Sequence, residues 1–150
     1  MKTLLKLLLF PLFFFLSVSI YGQGSIVVAN TNLNDQSDWQ VYKHLDSADI
    51  YYKNTNCKLS DDFSFQYMLF KVVNTSNHLI EIAWEFKLYN NNQEIVKSPD
   101  DMQIQLTIEA NSTQEGSCQG AGNNKLKILV SEQNNPSLIT SIDLMNISVK

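Results

Sequence analysis

The stretch Met102-Gln-Ile-Gln-Leu-Thr-Ile-Glu109 decides the fold class, because apolar and polar residues alternate along it without a break. Successive side chains of an extended strand point to opposite faces of a sheet. The alternation therefore predicts a strand with one face on a core and one face in water. A surface helix would repeat apolar residues every three or four positions, and no long segment after Gly24 does so.

Two longer stretches on either side of a turn are also predicted to be strands. Leu79–Tyr89 alternates in the same way, whereas Phe63–Val73 is apolar on both faces, which predicts a central strand. The segment Asn74-Thr-Ser-Asn77 between them consists of residues that favour turns. We therefore expect these two strands to pair as a hairpin.

Six further segments complete the set of predicted strands: Ser25–Ala29, Trp39–Lys43, Asp49–Lys53, Gln93–Lys97, Lys125–Ser131 and Ile139–Val149. The last of them contains an irregularity, because its apolar register shifts between Leu144 and Met145. About eight or nine strands, with no helix to connect parallel neighbours, predict an all-β fold. We expect an antiparallel, immunoglobulin-like β-sandwich, with a partly open β-barrel as the alternative.

The amino-terminal end has the order of a secretory signal peptide, which we assign to residues 1–22. A short positive segment precedes the apolar run Leu7–Ile20, and small and polar residues follow it. A membrane anchor is the alternative, but the run is shorter than the roughly 20 residues of a spanning helix, and Pro11 interrupts it. Residues 23–150 would then form a single β-sandwich domain without a membrane span. We expect it in the periplasm first, because no sorting domain follows the last strand, and in the extracellular medium second.

Two cysteines, Cys57 and Cys118, lie in the predicted mature chain. An even number of cysteines in an exported protein predicts disulfides, and two cysteines allow one intramolecular pairing. Such a bond would close a loop of about 60 residues and stabilise the fold by roughly 4 kcal/mol. Two buried free thiols are the alternative. A redox role is not expected, because the two residues do not form a Cys-x-x-Cys motif.

Composition argues against several classes of function. The chain has 11 lysines and no arginine against 15 acidic residues, and its net charge is −4. An acidic surface does not suit nucleic acid, and without arginine no bidentate fork for phosphate or carboxylate can form. No glycine-rich phosphate loop is present either. We therefore expect no nucleic-acid partner and no cofactor.

The sequence assigns no catalytic and no metal-binding residue. His44 and His78 are the only histidines, no Gly-x-Ser-x-Gly motif occurs, and zinc needs three or four nitrogen or sulfur ligands. Loop carboxylates leave two alternatives open: a calcium site, and a small hydrolase with two carboxylates across a cleft. These carboxylates occur in three clusters: Asp35 with Asp38, Asp61 with Asp62, and Asp100 with Asp101.

Aromatic residues supply the candidate binding surface, for which we select Trp39, Tyr42 and Tyr51. Tyr51 and Tyr52 are adjacent, so in a strand they point to opposite faces and one of them is expected to be exposed. Exposed aromatic rings stack on sugars or anchor protein partners. Packing in the core is the alternative for each of these rings.

Five sequence features together resemble a family of small, uncharacterised exported proteins of flavobacterial-type Bacteroidota. They are Tyr51 with Cys57, Gln66–Val72 followed by Asn74-Thr75, Trp84–Asn90, Glu115–Cys118, and Leu126–Ile128. The resemblance spans residue 49 to the end of the chain. It implies an exported β-sandwich and no known activity.

These observations predict an exported, monomeric, non-enzymatic module that binds an unknown protein or glycan partner. The prediction follows mainly from the lack of motifs for catalysis, metal binding or phosphate binding. One alternative is a small carbohydrate-active or hydrolytic protein that uses loop carboxylates. Another is a structural component of the cell envelope.

Overall fold

The computed structural model describes residues 24–28, 38–58, 60, 63–119, 122–132 and 138–150. The predicted signal peptide, residues 1–22, lies outside these residues, as do Asp35, Asp61 and Asp62. The described elements are β1 (Ile26–Val27), β2 (Gln40–His44), β3 (Ala48–Lys58), β4 (Ser64–Asn74), β5 (Ile80–Asn90), β6 (Gln93–Ile95), α1 (Pro99–Met102), β7 (Gln103–Ile108), β8 (Thr113–Glu115), a 3-10 helix (Asn124–Leu126), β9 (Lys127–Glu132) and β10 (Ser141–Val149).

The strands form two antiparallel sheets packed face to face. In the first sheet β10 lies between β1 and β5, and the other edge of β5 pairs with β6 and β7. In the second sheet β3 lies between β2 and β4, and the other edge of β4 pairs with β8 and β9. The sheets do not close into a barrel, so the predicted antiparallel β-sandwich is confirmed over its barrel alternative.

One hydrophobic core fills the space between the sheets, and alternation along the strands supplies it. β5 buries every second residue from Ile80 to Leu88 and turns the others outward. Phe86 of this strand meets Phe70 of β4, with ring centroids 5.1 Å apart, and the Trp84 ring packs edge-on against Phe86. Each large apolar side chain buried in this way stabilises the fold by about 1.5–3 kcal/mol.

The predicted hairpin of the two longest strands is wrong, because β4 and β5 belong to different sheets. Both strands bury an apolar face, and these faces pack against each other across the core instead of pairing edge to edge. The connection crosses between the sheets and is anchored by Asn74, which is 1% exposed. Its Nδ2 group donates to the carbonyl oxygens of His78, Ile108 and Glu109 at 2.8, 3.1 and 2.9 Å.

The prediction that β4 is a central strand is confirmed, because it has ladder partners along both edges. β3 is longer than predicted: its second half is polar but pairs with β4 as far as Lys58. The irregularity predicted in the last strand lies between Met145 and Ser148, where Asn146 has a φ of 53°. Neither α1 nor β8 was predicted from the sequence.

The disulfide between Cys57 and Cys118 is present, with the two Cα atoms 5.2 Å apart. Cys57 lies near the end of β3, and Cys118 follows β8. Since these two elements flank β4 on opposite sides, the bond joins the two halves of the second sheet across the strand between them.

Candidate functional site

Trp39 and Tyr51 lie on the outer side of the second sheet, next to a shared lysine. Tyr51 on β3 is directly opposite Lys71 on β4, so both side chains point away from the core. The Lys71 Nζ atom lies 4.6 Å from the centre of the Tyr51 ring and 4.7 Å from that of Trp39. The structure thus brings together two of the three residues selected from the sequence.

Two further lysines on the same side also lie over aromatic rings. Lys53 Nζ is 4.7 Å from the centre of the Trp39 ring, and Lys127 Nζ is 4.2 Å from that of Tyr67. A cation over a ring at a partly exposed site contributes about 0.5–1 kcal/mol. We call this group the aromatic–lysine face; its members are Trp39, Lys53, Tyr51, Tyr67, Lys71 and Lys127.

Leu69 lies in the centre of the aromatic–lysine face, between two of its lysines. The register places Leu69 between Lys53 on β3 and Lys127 on β9. Although it is on the side of the sheet that faces away from the core, Leu69 is 2% exposed. Lysine side chains commonly cover apolar surface with their methylene stems while the ammonium group stays accessible. The two flanking lysines are placed to do this here.

Among the described residues no carboxylate oxygen lies within 4 Å of a lysine of the aromatic–lysine face, although Glu115 is opposite Lys71 in the β4–β8 ladder. Among the described residues the ion pairs are His44 with Asp49 at 2.7 Å and Lys87 with Glu94 at 3.6 Å. An ammonium group carries three hydrogen-bond donors. An aromatic ring attracts the positive charge but does not accept hydrogen bonds from all three donors. The three lysines therefore keep donors available to a ligand.

Asp49 and His44 form a separate polar pair at the edge of the same face. The Tyr51 hydroxyl donates to Asp49 Oδ2 at 3.4 Å, while His44 Nδ1 contacts Asp49 Oδ1. Burial, followed by the charge of Asp49 and this hydrogen bond, raises the pKa of Tyr51. Tyr51 is therefore a neutral hydrogen-bond donor near pH 7. The other histidine, His78, lies in the crossover between β4 and β5.

Tyr42, the third residue selected from the sequence, lies on the opposite side of the sheet. Its ring packs against the core, and its hydroxyl donates to the Leu144 carbonyl oxygen at 3.5 Å. Val41 is opposite the outward-facing Tyr51, so alternation along β2 points the next residue, Tyr42, inward. Tyr52 also packs against the core, so Tyr51 is the outward-facing member of the adjacent pair.

Sequence reasoning missed the lysines and Tyr67. The sequence did contain a signal for them. Tyr51 and Lys53 are two positions apart, and Tyr67 and Lys71 are four positions apart, so within a strand each pair shares a face. Which strands would lie side by side could not be read from that spacing.

The described residues contain no group of three or more His, Cys, Asp or Glu side chains placed to hold a metal ion. Asp100 and Asp101 lie together on α1, at the rim of a cleft between the sheets. Within the same part of the chain, no helix has the length and apolar character needed to cross a membrane.

No protein-family model and no curated protein matches the chain. Among solved structures, it is similar to the crystal structure of a DUF1425 family member from Shewanella sp. pv-4. The two chains are 11% identical, and the TM-score is 0.39 over 85% of this chain and 94% of that chain. A similarity of this degree assigns no function.

Proposed function

We propose that the protein is an exported, non-enzymatic binding module whose partner is an acidic glycan, held on the aromatic–lysine face. One observation carries the proposal: three lysines are held over aromatic rings on one side of a sheet and have no carboxylate partner among the described residues. Export, the monomeric state and the resemblance to Bacteroidota proteins belong to the same proposal.

The chemistry of the face suits a sugar that carries carboxylates. Sugar rings present apolar C–H surfaces that pack on aromatic rings, and the Tyr51 hydroxyl can donate to a sugar oxygen. A carboxylate can accept hydrogen bonds from Lys71 while that ammonium group stays over its rings, and such charge-assisted bonds are among the stronger ones. An acidic protein would offer the carboxylates without the ring surfaces.

The placement of carboxylates favours binding over hydrolysis. A glycosidase needs two carboxyl groups on opposite sides of the scissile bond. Asp100 and Asp101 are neighbours on one short helix, so they approach a ligand from the same side. The aromatic–lysine face lies on the outer side of the other sheet.

The test is a binding titration with polygalacturonate, using neutral dextran as the uncharged comparison. We expect saturable binding of polygalacturonate that weakens as salt is raised from about 0.05 M to about 0.5 M, because salt screens exposed charges. Lys71→Ala should reduce the affinity about tenfold, the value of one charge-assisted hydrogen bond. Tyr51→Ala should reduce it as well.

Lys87→Ala is the matched control, since Lys87 lies on the outer side of the first sheet and is paired with Glu94. Equal losses for Lys71→Ala and Lys87→Ala would refute the assignment of the face. Absence of polygalacturonate binding by the folded, oxidised protein would refute the acidic glycan. Capture of an acidic envelope protein that depends on Lys71 would then identify a protein partner instead.

A further inference from the structure

A cleft of about 400 Å³ opens between the two sheets and adjoins the aromatic–lysine face at Lys127, which belongs to both. The segment from Lys97 through α1 to the start of β7 forms its wall on the first sheet. The 3-10 helix and β9 form its wall on the second sheet. Its volume lies within the roughly 300–1,000 Å³ of pockets that hold small molecules. Polar groups form the larger share of its exposed lining. The apolar side chains in its floor are Phe86, Leu88, Met102, Ile104, Ile128 and Leu129, of which Met102, Ile128 and Leu129 are partly exposed.

The cleft coincides with a gap in the β5 ladder. β7 pairs with β5 up to Glu85, opposite Gln103, and β6 pairs with it again from Leu88, opposite Ile95. Phe86 and Lys87 lie between these pairings and have no register partner on this side. The gap exists because the chain between β6 and β7 leaves the sheet to form α1.

Phe86 presents its backbone groups to this gap. Glu81 exchanges backbone hydrogen bonds with Lys150, and the Tyr89 carbonyl accepts from the Thr140 amide, so these odd-numbered residues bond toward β10. Backbone groups of successive residues in a strand point to opposite edges. The N–H and C=O of Phe86 therefore point toward the gap, in the orientation that a paired strand would use.

The rim of the cleft carries both signs of charge. Lys97 and Lys125 are exposed cations, and Asp100 and Asp101 are exposed anions. None of the four forms an ion pair within the described part of the chain. A ligand with a positive and a negative end therefore finds both partners here.

The geometry points to a short peptide with an apolar side chain, bound in extended form, as the ligand of this cleft. The peptide backbone pairs with Phe86 at the gap, in the manner of a strand added to a sheet. Its apolar side chain packs on the floor, its amino terminus lies near Asp100 and Asp101, and its carboxylate lies near Lys97 and Lys125. A fatty acid would use the floor and the lysines but would leave the ladder gap unpaired and bring its carboxylate close to the aspartates.

The inference is tested by amide NMR titration of the protein expressed from its full sequence and purified in oxidised form. The probe is the tripeptide Ala-Leu-Ala with free termini. We expect saturable shifts at Phe86 and Lys87 and along 100–104. Gly-Gly-Gly should bind at least about tenfold more weakly, because one buried leucine side chain contributes about 1.5–3 kcal/mol. Ala-Leu-Ala with blocked termini should also bind more weakly.

Reversing the charge of a lysine at the rim tests where the termini of the bound peptide lie. Lys125→Glu should weaken the binding of Ala-Leu-Ala at least about fivefold, whereas Lys58→Glu, at the exposed end of β3, should leave it unchanged. Thermal unfolding of each variant checks that the fold is retained. Equal shifts with Gly-Gly-Gly, no shift at millimolar Ala-Leu-Ala, or binding of dodecanoate alone would overturn the inference. Polygalacturonate binding is measured separately, so failure at the cleft is distinguishable from failure at the aromatic–lysine face.

Discussion

The outer sides of the two sheets differ in how their charges are used. On the first sheet, Lys87 is paired with Glu94, and Glu85 accepts a hydrogen bond from Asn146 at 3.1 Å. On the second sheet, three lysines lie over aromatic rings and have no carboxylate partner among the described residues. The first side is rich in carboxylates and satisfies several of them internally, whereas the second keeps its cations available.

This difference separates a solvated surface from a candidate recognition surface. Exposed ion pairs contribute about 0–1 kcal/mol to folding and need no further explanation. Lysines held over rings are positioned by contacts within the protein, yet they keep donors for a ligand. We therefore place the proposed binding on the second sheet, and the following changes test the difference between the two sides.

The largest effect is expected from the disulfide, which is confined to the second sheet. Cys57→Ser combined with Cys118→Ser should lower the free energy of unfolding by about 4 kcal/mol, because the bond closes a loop with a sequence separation of 61 residues. Urea unfolding measures the loss. Hydrogen exchange should accelerate more at the end of β3 and after β8 than in β5, and uniform acceleration in both sheets would contradict this local role.

The crossover that joins the two sheets should be nearly as sensitive. Asn74→Ala leaves the carbonyl oxygens of His78, Ile108 and Glu109 without their side-chain donor. We expect a loss of about 3 kcal/mol in urea unfolding, because buried polar groups would lose their partner. Asn77→Ala, in the exposed part of the same connection, is the control and should change stability by less than about 0.5 kcal/mol. Similar losses for the two variants would show that Asn74 is not the anchor.

Removing one lysine from each outer side tests the comparison itself. Lys71→Ala should cost about 1 kcal/mol in urea unfolding, because its ammonium group contacts two rings. Lys87→Ala should cost about 0.5 kcal/mol or less, because it removes one exposed ion pair. The fluorescence of Trp39 should change in the first variant alone. A larger cost for Lys87→Ala would reverse the interpretation of the two sides.

The smallest expected effect is on the pH dependence of stability, and it comes from Tyr42 on the inner side of the second sheet. Burial raises the pKa of Tyr42; its hydrogen bond to the Leu144 carbonyl opposes the rise, and the charge of Asp143 adds to it. A folded-state pKa above the unfolded value means that this contribution to stability is complete below pH 10 and declines as pH rises through the folded pKa. Tyr42→Phe should therefore lose less stability than the wild type between about pH 9 and 11. Urea midpoints measure this, and identical pH slopes would contradict it.

The two central strands show how far the sequence predicts the fold. β4 and β5 each have 11 residues, and their extents were predicted to within one residue at either end. Their relation to each other was not predicted, because turn residues such as Asn74 serve a hairpin and a crossover equally well. The second half of β3 was missed because its polar residues resemble a turn, yet pairing with β4 satisfies their backbone groups.

The candidate site was predicted in part. Trp39 and Tyr51 were selected from the sequence, and both contact Lys71. Tyr42 was selected for the same reason but packs against the core, because it follows Val41, whose side chain points outward opposite Tyr51. The cleft was not predicted at all, since it depends on residues that are far apart in sequence, such as Phe86 and Ile128.

The sequence by itself determined that the chain is all-β and which two cysteines a disulfide could join. Alternation sets which side chains of a strand share a face, and two cysteines allow one intramolecular bond. The tertiary structure alone decided which strands are neighbours, and with them the aromatic–lysine face and the gap beside Phe86. Neighbouring strands are selected by packing between residues distant in the chain, and local residue patterns carry little information about that choice.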